Sequence, residues 1–166
     1  MCIRDSPWGY NFSRRKVTVS TSGLVDQIPL VTVSGARLAV SLNAASDELR
    51  NQVMPINRKW PLKELLEACR QHSRKTRDKV TLEYVLLKGV TDSLEDARQL
   101  YFLTKNVPCK INIIAFNEHP GSGFERPDQA TVDAFQSELI RLGAHVLRRK
   151  TMGRDIYAAC GQLTTA

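Results

Sequence analysis

The chain is poor in the residues that would announce a disulfide framework or a simple metal site. Its four cysteines, Cys2, Cys69, Cys109 and Cys160, are scattered over 166 residues and never form a C-x-x-C pair. Such spacing excludes a disulfide scaffold and points to reduced thiols in a cytoplasm. There are only three histidines, and His119 has no Cys or His at ligand spacing, so no metal site is expected from it. No run of about 18 apolar residues occurs, which excludes a transmembrane helix. The opening MCIRDSPWGY has no apolar signal-peptide core either. Acidic residues are outnumbered: 17 Asp and Glu stand against 24 Lys and Arg, for a net charge of +7.

That excess favours a polyanionic partner, because cations that neutralise phosphates release condensed counterions. It is clustered at Arg14–Lys16, at Arg74, Lys75, Arg77 and Lys79, and at Arg148–Lys150. Any one cluster is explained as a solvated edge, but three in one small chain make a nucleic acid a serious candidate. The apolar fraction, 42 %, is that of a globular protein able to bury a core.

Five short segments rich in Val, Ile and Leu read as strands of a buried sheet: 16–22, 36–42, 79–87, 109–116 and 144–149. Helical spacing appears between several of them. Leu62, Leu65, Leu66 and Cys69 share one face after Pro61, and Ser93 with Asp96 forms a capping box before Ala97, Leu100 and Leu103. Pro127-Asp128 opens a third helix, with Val132, Phe135 and Leu139 on its stripe and Gly143 at its end. Alternating strands and helices with these crossover lengths imply parallel β/α units, either part of a β/α barrel or an open doubly wound sheet. In both, ligands bind at the C-terminal strand ends. Those ends are 20–23 (STSG), 41–43 (SLN), 83–88 and 117–121 (NEHPG), all rich in polar side chains. Each has a plainer explanation: STSG makes a turn, Asn43 or Ser46 caps the helix of 47–53, and NEHPG joins two elements. Cys160 stands between Ala159 and Gly161, downstream of Arg148, Arg149, Lys150 and Arg154. A lone cysteine is usually a small buried hydrophobe, but nearby cations favour the nucleophilic thiolate.

Five segments in order, RRKVTVSTSG, LAVSLNAASDELRNQVMPIN, VTLEYVLLKGVTD, CKINIIAFNEHPG and RRKTMGRDIYAACGQL, carry a resemblance. From about Trp8 to Leu163 the chain resembles the C-terminal half of the RlmN family of radical S-adenosylmethionine (SAM) methyltransferases, which modify C2 of adenine in 23S rRNA and tRNA. The Cfr methyltransferases, acting on C8, share much of the pattern. The resemblance implies an α/β fold, the C-terminal half of a partial β/α barrel. It matches Ser20, Ser41, Leu42, Asn43 and Asn117 to SAM-contacting positions, with Asn43 where many relatives carry His. It matches Cys160 to the cysteine that carries the methyl group. By implication, one SAM methylates Cys160, a second yields a 5′-deoxyadenosyl radical that activates that methyl, and the carbon radical adds to the adenine ring. A [4Fe–4S] cluster, an electron donor such as flavodoxin, an RNA substrate, a cytoplasmic location and a monomeric full-length enzyme are implied likewise.

The family's C-x-x-x-C-x-x-C cluster motif and its Gly-Glu-Pro segment do not occur in these residues. The expectation is therefore a truncated chain: residues 1–7 a scar of cloning or sequence assembly, residues 8–166 the C-terminal portion of the barrel, and no catalysis by this piece alone. Poor stability in isolation is expected too, since half a barrel exposes a sheet edge. The competing expectation is a cluster-free RNA-binding module.

Overall fold

The alternation of short apolar runs with amphipathic helices builds a single five-stranded sheet in which every pairing is parallel. The computed structural model describes residues 13, 16–118 and 121–149. Its strands are β1 (Thr18–Thr21), β2 (Arg37–Ser41), β3 (Val80–Leu86), β4 (Cys109–Ala115) and β5 (Val146–Arg148). Between them lie α1 (Ile28–Ser34), α2 (Asp47–Val53), α3 (Leu62–Thr76), α4 (Leu94–Thr104) and α5 (Gln129–Arg141). The strand order is β1-β2-β3-β4-β5. A doubly wound sheet reverses its order at a switch point. This one does not, so that reading is excluded, and the sheet is open with the sequential winding of a barrel segment.

The strands divide their residues by face. On β3, Val80, Leu82, Tyr84 and Leu86 are buried while Thr81, Glu83 and Val85 are only half-covered. The same alternation places Leu38, Val40 and Leu42, and Ile111, Ile113 and Ala115, in one core with α3 (Leu62, Leu65, Leu66, Cys69), α4 (Ala97, Leu100) and α5 (Val132, Phe135, Leu139). Tyr84 and Phe135 stack there with centroids 5.6 Å apart. The opposite face carries Ser20, Ala39, Ser41, Thr81, Glu83, Lys110 and Asn112, and no described helix contributes to a core on that side. Right-handed crossovers in a sequentially wound sheet give this one-sided cover.

All five expected strands form, each within a residue or two of its expected bounds. Ser93 and Asp96 make the capping box reciprocally, and Asp128 accepts from the Thr131 N–H at the start of α5. Ser46, not Asn43, caps α2, accepting from the Leu49 N–H at 3.2 Å. Helix α1 was not expected. Its sequence, IPLVTVS, is rich in β-branched residues that favour strands. Tertiary packing overrides that preference: Ile28 enters the core, Pro29 occupies the first turn, and Thr32 Oγ1 lies 2.9 Å from His72 Nδ1 of α3.

Helices α4 and α5 are joined through buried Glu138. Arg141 donates to both its oxygens (2.7 and 2.8 Å) and Arg98 to Oε1 at 2.8 Å. These charge-assisted bonds, Arg141's first, hold the Glu138 carboxyl at about 2 instead of 4.5. A depressed folded-state pKa stabilises above the unfolded value and loses that contribution as pH falls through the folded one. We therefore expect urea titrations to show a loss of stability between pH 4.5 and about 2 that is smaller in a Glu138→Gln variant. An identical acid profile in the two proteins would refute the assignment.

Candidate functional site

The C-terminal strand ends are shaped by side chains that bond backbone. Thr21 Oγ1 accepts from the N–H groups of Gly23 (3.1 Å) and Leu24 (3.2 Å), folding STSG into a tight turn. Ser20 is exposed and Ser41 half-buried, both on the uncovered face; Ser20 pairs with Ala39, and Ser41 with Glu83. Ala39, itself buried, is the small side chain beside both serines.

Asn43 follows β2 with φ +60, a left-handed conformation that Asn tolerates better than most residues. Its Oδ1 accepts from the Val85 N–H at 3.3 Å, and its Nδ2 lies 3.2 Å from Met54 Sδ. Its amide thereby ties β2 to β3. Leu42 is fully buried on the helix-covered side, its N–H donating to Glu83 O at 2.8 Å and its carbonyl accepting from Arg50. The Leu42 side chain accordingly belongs to the core and not to the polar face.

Two arginines that the sequence did not single out organise these ends. Arg50 of α2 is completely buried. Its Nε donates to Leu42 O at 2.9 Å, its Nη2 to Ser22 O at 2.9 Å and Ser41 O at 3.1 Å, and its Nη1 to Asn57 Oδ1 at 2.9 Å. Asn57 in turn donates to Asp47 Oδ1 at 2.9 Å, which also accepts the Leu62 N–H at 2.9 Å. Burial lowers the Arg50 pKa, and Asp47 opposes that shift. Arg126 does the same work beyond β4: its Nη1 donates to Phe116 O (3.1 Å) and to Asn117 Oδ1 (2.9 Å), and its N–H to Glu118 Oε1 (2.8 Å). Because a guanidinium only donates, Arg126 fixes Oδ1 as the accepting end of the Asn117 amide and Nδ2 as its donor end. The loop after β3 is tied to this same segment through Lys88 Nζ and Glu125 Oε2, 2.7 Å apart.

Ser20, Ser41, Asn43 and Asn117 therefore all lie at the C-terminal end of the sheet, on or beside its uncovered face. Cys160 and His119, as well as Cys2, Arg14, Arg15 and Lys150, lie outside the described residues. No signal in the sequence distinguished Arg50 from other helical arginines; its only hint is its place within SLNAASDELRNQ, directly after a strand end.

The residues suit a polar, multifunctional ligand such as SAM: two hydroxyls flank a small residue, and an oriented amide stands beyond the next strand pair. They do not suit an iron–sulfur cluster. Among the described residues no group of three or more His, Cys, Asp or Glu could hold a metal ion. Burial pushes the Cys69 thiol up to about 12 and the Cys109 thiol up to about 11, so neither is a ready thiolate.

No protein-family model matches the chain. Individual proteins do. A dual-specificity RNA methyltransferase RlmN from Bdellovibrio bacteriovorus is 66 % identical over 163 residues, 98 % of this chain and 41 % of that protein. Its namesake from Geotalea uraniireducens is 50 % identical over 97 % of this chain and 47 % of its own length. The crystal structure of a radical SAM methyltransferase from Sphaerobacter thermophilus superposes with TM-score 0.92 at 40 % identity, covering 96 % of this chain and 47 % of that one. A domain of a pyruvate-formate lyase-activating enzyme from Bacteroides vulgatus, 13 % identical with TM-score 0.64, shares the fold. The chain spans less than half the length of the curated relatives it matches. Over nearly its whole length, the chain is similar to a part of the RlmN methyltransferases and of a radical SAM methyltransferase of known structure.

Proposed function

We propose that this chain is the C-terminal part of a cytoplasmic RNA methyltransferase that methylates C2 of adenine in 23S rRNA and tRNA, with Cys160 carrying the methyl group. The observation that carries the reading is the 66 % identity to an RlmN protein over 98 % of the chain. The geometry supports it: Ser20, Ser41, Asn43 and Asn117 share the ligand-binding end of a parallel sheet.

SAM would supply both the transferable methyl and the radical precursor; the protein supplies binding and orientation. Ser20 and Ser41 would hold its polar groups on the uncovered face, and the Asn117 amide, turned by Arg126, would present its N–H donors to an acceptor. Leu42 supports the strand end from beneath. The cluster finds no ligand set among the described residues. An electron donor of the flavodoxin kind and a monomeric full-length enzyme complete the proposal.

The test is a chimera in which this chain replaces the matching part of the Bdellovibrio relative, expressed in a host lacking its own C2 methyltransferase. Mass spectrometry of rRNA and tRNA nucleosides is expected to show 2-methyladenosine, absent from the Cys160→Ala form. Appearance of 8-methyladenosine would transfer the chain to the Cfr type. A folded chimera yielding neither product overturns the reading. The 166 residues alone, given SAM and a reductant, are expected to release no 5′-deoxyadenosine, because they contain no C-x-x-x-C-x-x-C motif.

A further inference from the structure

The opposite, N-terminal end of the sheet gathers cations that are far apart in sequence. Lys16 precedes β1, Arg37 opens β2, Lys79 precedes β3, and Lys110 is the second residue of β4. Thr18 pairs with Arg37 and Thr81 with Lys110, so neighbouring strands bring the four to one rim. Strands stand about 4.8 Å apart, which confines the row to roughly 15 Å. Arg74, Lys75 and Arg77, at the end of α3 and in the turn entering β3, extend it. Six of these seven side chains are exposed and Lys110 is half-buried. None takes part in an ion pair among the described residues, and between Arg74 and Lys79 Asp78 is the one acid.

Simple structural needs do not account for the row. Cations in the last turn of a helix complement its dipole, which explains Arg74 and Lys75. That explanation does not reach Lys16, Arg37, Lys79 or Lys110. Nor do Arg37, Lys79 and Lys110 guard a sheet edge, since β2, β3 and β4 are interior strands; only Lys16 lies by the edge strand β1. Seven like charges left unpaired repel one another, and an anion laid across them removes that repulsion.

We propose that this rim is a docking surface for an RNA phosphate backbone, a contact separate from the proposed SAM end of the sheet. The assignment rests on the RNA methyltransferase reading above. β3 has 7 residues, so the rim lies about 20 Å from the site end. It therefore contacts a part of the RNA other than the reacting base, adding affinity without base readout. RNA is favoured over an acidic protein because none of the exposed large apolar side chains belongs to these strand starts or to the α3–β3 turn. Protein interfaces have an apolar centre; phosphate contacts need only cations.

The experiment uses this full chain and a fluorescent RNA stem-loop of mixed sequence, titrated at several salt concentrations. Neutralising Arg74→Gln, Lys75→Gln and Lys79→Gln together is expected to weaken binding roughly tenfold or more at low salt and to lower the salt slope by about 2. Neutralising Arg58, Lys59 and Lys63, exposed cations beyond the other end of the strands, changes net charge equally and is expected to do much less. Thermal unfolding checks that both variants fold, and Arg77, which ends α3, is left in place. Equal loss in the two variants, or no loss in either, overturns the proposal. Displacement by polyglutamate as readily as by unlabelled RNA of equal charge overturns it in favour of an acidic protein partner. A chimera that methylates RNA but binds it independently of the rim defeats this inference alone. Rim-dependent binding by a chimera that methylates nothing defeats the enzymatic reading alone.

Discussion

Replacing Arg50 with leucine is expected to destabilise the chain by roughly 3–5 kcal/mol, since each buried polar group left unsatisfied costs about 1–3 kcal/mol. The guanidinium satisfies three backbone carbonyls, those of Ser22, Ser41 and Leu42, and the Asn57 amide oxygen. Leucine matches the apolar surroundings but donates nothing. A buried ion pair can sometimes be exchanged for apolar residues without loss. That route is closed here, because the partners are main-chain carbonyls that no second substitution removes. Arg50→Lys keeps a charge but cannot span carbonyls on two strands at once, so it should recover only part of the loss. Urea unfolding of the three proteins measures it directly, and a melting temperature about 10 °C lower in the leucine variant is the thermal counterpart. Unfolding free energies within about 1 kcal/mol of each other would show that water or rearranged backbone satisfies those carbonyls, and that Arg50 braces nothing.

The consequence for function follows from where those carbonyls sit. Ser22 lies within the STSG turn and Ser41 ends β2, so Arg50 fixes the separation of the two strand ends that carry Ser20, Ser41 and Asn43. Arg126 does this for Asn117 beyond β4. Both braces act on the residues proposed to contact a ligand and not on the ligand. Ligand-binding loops tolerate little misplacement, and a fixed first set of contacts requires a fixed support behind it.

Much of this was legible in the sequence, because short runs rich in Val, Ile and Leu bounded by Gly, Asn and Pro leave little choice but strands. Which face is buried emerges in the structure, with Val80, Leu82, Tyr84 and Leu86 covered and Thr81, Glu83 and Val85 half-covered. The capping box at Ser93 and Asp96 was equally plain, since it is local chemistry. Helix α1 was not legible: Val31, Thr32 and Val33 have strand preferences, and only packing against α3 makes them helical. The polar strand ends could be named as ligand candidates from position alone. Their supports could not, because Arg50 reaches Ser22 across 28 residues of sequence, and Lys16, Arg37, Lys79 and Lys110 meet only through strand pairing. Residues that act through long-range contacts leave no periodic trace.

Gly23→Ala is expected to cost about 2–4 kcal/mol, and its cause can be separated by a second substitution. Gly23 has φ +115, a conformation that carries a strain of about 1–3 kcal/mol for residues with a Cβ. The added Cβ would also stand 2.9 Å from Arg50 Nη2 and 3.3 Å from Leu65 Cδ2. A free arginine would swing away at little cost. This one is pinned by its bonds to Ser22, Ser41, Leu42 and Asn57, so relief of the clash means breaking at least some of them, at about 1 kcal/mol each. In an Arg50→Lys background the close contact disappears and only backbone strain remains, so the same Gly23→Ala change should be milder by about 1 kcal/mol or more. Equal penalties in both backgrounds would mean that φ alone dictates glycine and that Arg50 yields freely. A smaller penalty beside lysine would show that the glycine of STSG is there to let a buried arginine lie against the backbone. The turn and the brace are then one device, and it sets the strand ends before any ligand arrives.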